Sequence, residues 1–92
     1  MRPSELEGIN VVSSEAKIIG QVSGIEIDLD QWKVTDLRIQ LSDEMIEYLG
    51  YKKPFLGHVE IRLAVDAVKS IADVVSINKP VTELREVIEP PR

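Results

Sequence analysis

The residues of this chain whose types and spacing could do chemistry are few. His58 is the single histidine, and cysteine is absent. A catalytic triad or a histidine-based metal site needs partners that the sequence around His58 does not announce. A lone histidine beside the start of a strand is read as structural or simply exposed. Glu26, Asp28 and Asp30 form the one regular array of carboxylates. At i, i+2 and i+4 of a strand they share a face and could hold a hard cation, but no EF-hand-type loop accompanies them. The plainer reading is a charged outer face that keeps the strand soluble and discourages sheet pairing. No serine stands in a nucleophile-elbow pattern. Neither a GxGxxG fingerprint nor a P-loop occurs. These residues do not support an enzyme, and no cofactor or metal is expected.

The element that carries the carboxylates is a β-hairpin over Lys17–Leu41. Ile25, Ile27 and Leu29 alternate with Glu26, Asp28 and Asp30, which gives one apolar and one acidic face. A turn at Asp30-Gln31 follows, without the Asn-Gly or Asp-Gly of a strong two-residue turn. The return strand offers Trp32 and Val34, then Leu37, Ile39 and Leu41. Its apolar parity flips after Val34, so an extra residue must be absorbed near Thr35-Asp36 as a β-bulge. Pairing Leu29 with Trp32 puts Asp28 opposite Lys33, a favourable charge pair, and sets Gly24 across from the bulge, where the ribbon can curl. A three-residue loop would bring Leu29 opposite Lys33, on the wrong face, so the apolar pattern selects the register.

The remaining segments read as additions to this sheet. Met1–Glu7 is a loose lead-in, and Gly8–Val12 a short first strand. Gly20 and Gly24 suggest one long bent strand after it. Ser42 is a good N-cap, with Asp43 and Glu44 in the first turn and Gly50 placed as a C-terminal glycine. Together they predict a short helix that buries Met45, Ile46 and Leu49. Tyr51–His58 is irregular, broken by Pro54 and Gly57. Three of the four aromatics (Tyr48, Tyr51 and Phe55) gather around it, next to Lys52 and Lys53. They either fold back over a thin core or form a protein-contact patch; a platform for single-stranded nucleic acid is a third option. Val59, Ile61, Leu63 and Val65 mark a half-buried strand, Asp66-Ala67 a turn, and Val68–Ile71 with Val74–Ile77 a second hairpin. Val81, Leu84, Val87 and Ile88 recur at helical spacing, with Thr82 as N-cap and Glu89-Pro90-Pro91 as the stop.

Composition limits the function. The 92 residues make one domain, 1–92. A chain of this size buries only roughly 60–65% of its unfolded surface, so dimerisation is a natural supplement. Without cysteine there is no disulfide or thiolate metal site, and a reducing cytoplasm fits. The first ten residues carry charge and lack an apolar run, so no signal peptide is expected. No stretch approaches the about 20 apolar residues of a membrane span. Net charge is −5, and all of the excess lies in residues 1–46, with four Lys/Arg against nine Asp/Glu. That argues against nucleic acid, which asks for a basic footprint.

Two phrases carry a resemblance. One is Val11-Val12-Ser13-Ser14-Glu15-Ala16-Lys17-Ile18-Ile19-Gly20-Gln21-Val22 followed by Ile25–Leu29. The other is Ala64–Ile77, AVDAVKSIADVVSI. Both closely resemble the PRC-barrel family, named from the cytoplasmic barrel of the photosynthetic reaction centre H subunit. The resemblance covers roughly residues 5–77. Ala72 stands where the family often has glycine, and Ser42–His58 is an addition to the minimal barrel. The resemblance implies a mainly β fold, a small bent antiparallel barrel, here with a short inserted helix and a short C-terminal helix. It also implies a non-catalytic module that binds proteins. Family members occur in the reaction centre, in a ribosomal small-subunit maturation factor, and as stand-alone archaeal proteins. Some of the last are cell-division proteins that assemble with one another and with the membrane-anchoring adaptor of the division ring. This chain looks most like that group. The expectation is a homodimeric, cytoplasmic scaffold recruited to the division site, with partners of its own kind or the adaptor. Ribosome maturation, through RNA or a ribosomal protein, is the alternative. Tyr51, Phe55 and Leu56 are the expected partner contact; Val81, Leu84 and Ile88 are the expected dimer contact.

Overall fold

A computed structural model of the chain describes residues 2–55 and 57–91. The lead-in is more ordered than its sequence suggests. Residues Pro3–Leu6 form one helical turn, α1. Leu6 packs against the core, and the Gly8 amide donates to the Val22 carbonyl at 2.8 Å. Strand β1 follows at Asn10–Val12, then β2 at Ile18–Asp28 and β3 at Lys33–Leu41. Ser13 is buried between β1 and β2. Its hydroxyl accepts from the amides of Glu15 and Lys17, each at 3.2 Å, and so closes their turn.

The hairpin register is the one that the apolar pattern selects: Asp28 lies opposite Lys33 and Ile27 opposite Val34. The expected bulge is present, with Thr35 as the extra residue between Val34 and Asp36. A second bulge at Ser23, on the other strand, restores the register, so Val22 faces Ile39. Two predicted details differ. Gly24 lies opposite Arg38 and not opposite the bulge; a Cβ there would run into the Arg38 guanidinium. The Asp28 carboxylate does not pair with Lys33 but accepts from the amides of Asp30 (2.9 Å) and Gln31 (3.3 Å). That capped turn ends the ladder one pair early and leaves Leu29–Trp32 as a four-residue connection.

Helix α2, Asp43–Leu49, begins and ends as predicted. The Ser42 hydroxyl accepts from the Met45 amide at 3.2 Å. Gly50 closes the helix at φ 79°, in the left-handed region. Met45, Ile46 and Leu49 are buried. Strands β4 (Glu60–Ala64), β5 (Val68–Ile71) and β6 (Val75–Ile77) follow, with a 3-10 turn at Val65–Ala67 between the first two. The C-terminal segment is a 3-10 helix, Val81–Glu86, and then a two-residue strand β7, Ile88–Glu89. The expected short C-terminal helix is thus present, but as a 3-10 helix that stops at Glu86, short of Val87 and Ile88. Thr82 is not its cap: the residue before the helix is Pro80, and the Val81 amide donates to the Glu15 carboxylate at 3.2 Å. Val81 and Leu84, three apart, both reach the core, and a three-residue turn stacks such a pair on one side.

The seven strands form one sheet in the order β5-β6-β1-β2-β3-β4-β7. All pairs are antiparallel except β1 with β6. No ladder joins β5 to β7 among the described residues, so the sheet stays open rather than closing into a barrel. Its curved inner face holds Val11, Val22, Ile39, Ile61, Leu63 and Ile77, with α2 and the 3-10 helix supplying Ile46, Leu49 and Leu84. The C-terminal segment is tied down at several points. The Arg85 guanidinium donates to the Leu49 carbonyl at 2.5 Å, and the Ser14 and Ala64 amides donate to the carbonyls of Lys79 and Val87.

Candidate functional site

The hairpin β2–β3 is longer than the core beneath it. Apolar residues continue on its inner face past the last one that has something to pack against. Val22 is buried and Ile25 half-buried, whereas Ile27 is 49% exposed and Leu29 69%. On the return side Val34 is 39% exposed and Trp32 82%. Trp32 also has φ 54°. The left-handed region costs an L-residue roughly 1–2 kcal/mol, and bulky side chains are rare there. An indole so exposed gains little packing among the described residues to offset the strain. The tip therefore presents four apolar side chains among Glu26, Asp28, Asp30 and Asp36.

A second surface lies on the outer face of the sheet. Four residues form a row across it: Gly24, Arg38, Arg62 and Glu89, each opposite the next on adjacent strands. Directly opposed like charges are unfavourable in a sheet, and here carboxylates flank both arginines. Arg38 sits 3.7 Å from Glu26, and Arg62 is bonded to Glu89. Arg38 and Arg62 of this row line a groove of about 660 Å³ together with Tyr51, Lys52, Pro54, Pro90 and Pro91. The volume falls among those of ligand pockets, about 300–1,000 Å³. His58 lies exposed at its edge. The groove lining also carries Glu26 and Glu60, so three cations and two carboxylates stand there beside apolar rings.

The residues singled out from the sequence separate into three groups. Tyr51 is half-buried and packs against the core, while Phe55 is 98% exposed; Leu56 lies outside the described residues. Tyr51 thus serves as groove wall and core cover at once, and Phe55 stands free of both. Lys53 is engaged with Asp43 at 3.0 Å. Val81 and Leu84 are buried in the chain's own core, Leu84 completely, and Ile88 is half-buried on β7 opposite Leu63. A dimer contact through Val81 and Leu84 would require the whole segment to exchange, so the segment is read here as core. The acidic array does not converge. Glu26 turns to Arg38, and Asp28 is occupied by its own turn. Among the described residues no group of three His, Asp or Glu side chains could hold a metal ion. No helix among them is long and apolar enough to cross a membrane.

Sequence reasoning missed Trp32 as a surface residue and Arg38 and Arg62 as neighbours. A signal existed for the first: Trp32 occupies a turn position that asks for glycine or asparagine. The second depends on β3 pairing with β4, and no local pattern announces which residues that pairing sets side by side. The sequence matches no protein-family model and no curated protein.

Proposed function

We propose that this chain is a non-enzymatic protein-interaction module of the PRC-barrel type, acting as a homodimeric scaffold. On the resemblance of its two sequence phrases, the setting is archaeal cell division, and the partners are the membrane-anchoring adaptor of the division ring and sister barrel proteins. The open seven-stranded sheet would then be a bent variant of that barrel. The observation that carries the reading is the hairpin tip. Ile27, Leu29, Trp32 and Val34 are solvent-exposed in a small domain, and exposed apolar patches rimmed by charge mark protein contacts.

The test is an affinity pull-down of the tagged chain from its host, at low and high salt, beside the Trp32→Gly variant. Recovery of division-ring adaptors or sister barrels by the parent chain and not by the variant supports the reading. The Arg38, Arg62 and Lys52 cluster favours one alternative, ribosome maturation through RNA or a ribosomal protein. Ribosomal proteins and RNA captured equally by both chains, and lost at high salt, would replace the scaffold reading with that one.

A further inference from the structure

We propose that the hairpin tip of one copy docks in the outer-face groove of a second copy, and reciprocally. The inference deepens the homodimer part of the reading above and rests on it. Tip and groove match in chemistry. Residues 27–36 hold three carboxylates and one lysine around an exposed indole and three aliphatic side chains. The groove holds Arg38, Arg62 and Lys52 against Glu26 and Glu60, an excess of one positive charge, beside the rings of Tyr51, Pro54, Pro90 and Pro91. The volume of about 660 Å³ suits an indole with a neighbouring side chain. Indole against an arginine plane and against prolines is favourable packing.

The alternative self-contact, tip against tip, would also cover the apolar residues. It would bring Asp28, Asp30 and Asp36 of both copies together, however, and juxtaposed like charges disfavour an interface. Docking tip into groove sets those carboxylates against cations instead. Two such insertions related by a two-fold axis use the same pair of surfaces twice and close the assembly. Strain at Trp32 then has a role: it holds the indole away from its own hairpin, ready for the partner.

Trp32 is the only tryptophan, so its fluorescence reports burial of the tip. The experiment follows emission and sedimentation of the full chain from about 1 μM to about 1 mM, a range that brackets weak and moderate dimers. Dimerisation with a concentration-dependent blue shift, weakened by added salt, is the expected result. Asp30→Lys and Lys52→Glu lie on exposed residues. Each alone should weaken the dimer about tenfold. The double variant restores the attraction with signs exchanged and should return to within about threefold of the parent. A chain that stays monomeric throughout overturns both the docking and the homodimer. A dimer whose Trp32 emission does not move overturns the docking and leaves the homodimer standing. A blue shift that survives salt and both single reversals assigns the contact to tip against tip, and overturns the groove.

Discussion

At the base of the β2–β3 hairpin, Val22 and Ile39 face each other with 2% and 1% of their surfaces exposed. At its tip, Ile27 and Val34 face each other with 49% and 39% exposed. Both pairs lie on the inner face of one ribbon, because the bulges at Ser23 and Thr35 shift the alternation of each strand by one residue between them. The difference is what stands beneath them. Val22 and Ile39 belong to the buried cluster shared with α2 and the later strands; Ile27 and Val34 lie outside it, each only about half covered. Alternation in a sequence marks which face of a strand is apolar. It does not say whether the chain itself covers that face, and here a continuous apolar stripe runs from core to surface.

Truncation at the two ends should separate them most sharply. Ile39→Ala removes buried methylenes between Val22 of β2 and Ile61 of β4, and should cost about 2–5 kcal/mol of unfolding free energy. Ile27→Ala, on the same sheet face, should cost below about 1 kcal/mol, because its side chain is already half in water. Urea denaturation of both variants checks this. Equal losses would mean that the tip is packed in solution, and the contrast would disappear.

The hairpin's two glycines give a smaller, independent contrast. A Cβ on Gly20 would meet the backbone carbonyl of Gln40. The strands would have to part there, so Gly20→Ala should destabilise by about 1–3 kcal/mol. A Cβ on Gly24 would meet the end of the Arg38 side chain, which can swing away. Gly24→Ala should therefore leave stability within about 1 kcal/mol of the parent, helped by the lower entropy of the unfolded chain. It should also displace Arg38 from the groove lining. Thermal melts measure the first effect and self-association the second. A large stability loss at Gly24 would show that Arg38 is fixed where it lies.

These contrasts follow the limits of what the residue order carries. Where a signal is local, it is readable: Ser42 and Gly50 bracket α2, and the parity flip after Val34 locates the Thr35 bulge. Where a long-range contact decides, it is not. The spacing of Val81, Leu84, Val87 and Ile88 fits a helix on one side, but the Glu15 carboxylate, 66 residues away, captures the Val81 amide, and the Val87 carbonyl is taken by Ala64. The segment tightens to a 3-10 helix and then pairs as β7. The groove is equally distant in sequence, since Arg38 and Arg62 meet only through the β3–β4 ladder. Barrel closure would depend on β5 meeting β7, which no local pattern controls.

The subtlest expected effect on stability is at Trp32, and it is the most informative about the tip. Losing a large aromatic side chain from a buried core costs about 3–5 kcal/mol. Trp32 lies outside that rule, because its ring is exposed and its backbone is strained at φ 54°. Glycine relieves the left-handed penalty of roughly 1–2 kcal/mol and adds about 0.5–1 kcal/mol of unfolded-state entropy. The two nearly cancel, with the balance on the side of the variant. Trp32→Gly should thus melt as an isolated monomer within about 1 kcal/mol of the parent, or slightly above it, while losing self-association. At concentrations where the parent dimerises, the order should reverse, because binding adds to the parent's apparent stability. Melting both chains across a range of concentrations separates the intrinsic term from the assembly term. A parent advantage that persists at high dilution would place the indole in the chain's own packing, and the tip would then belong with the base of the hairpin.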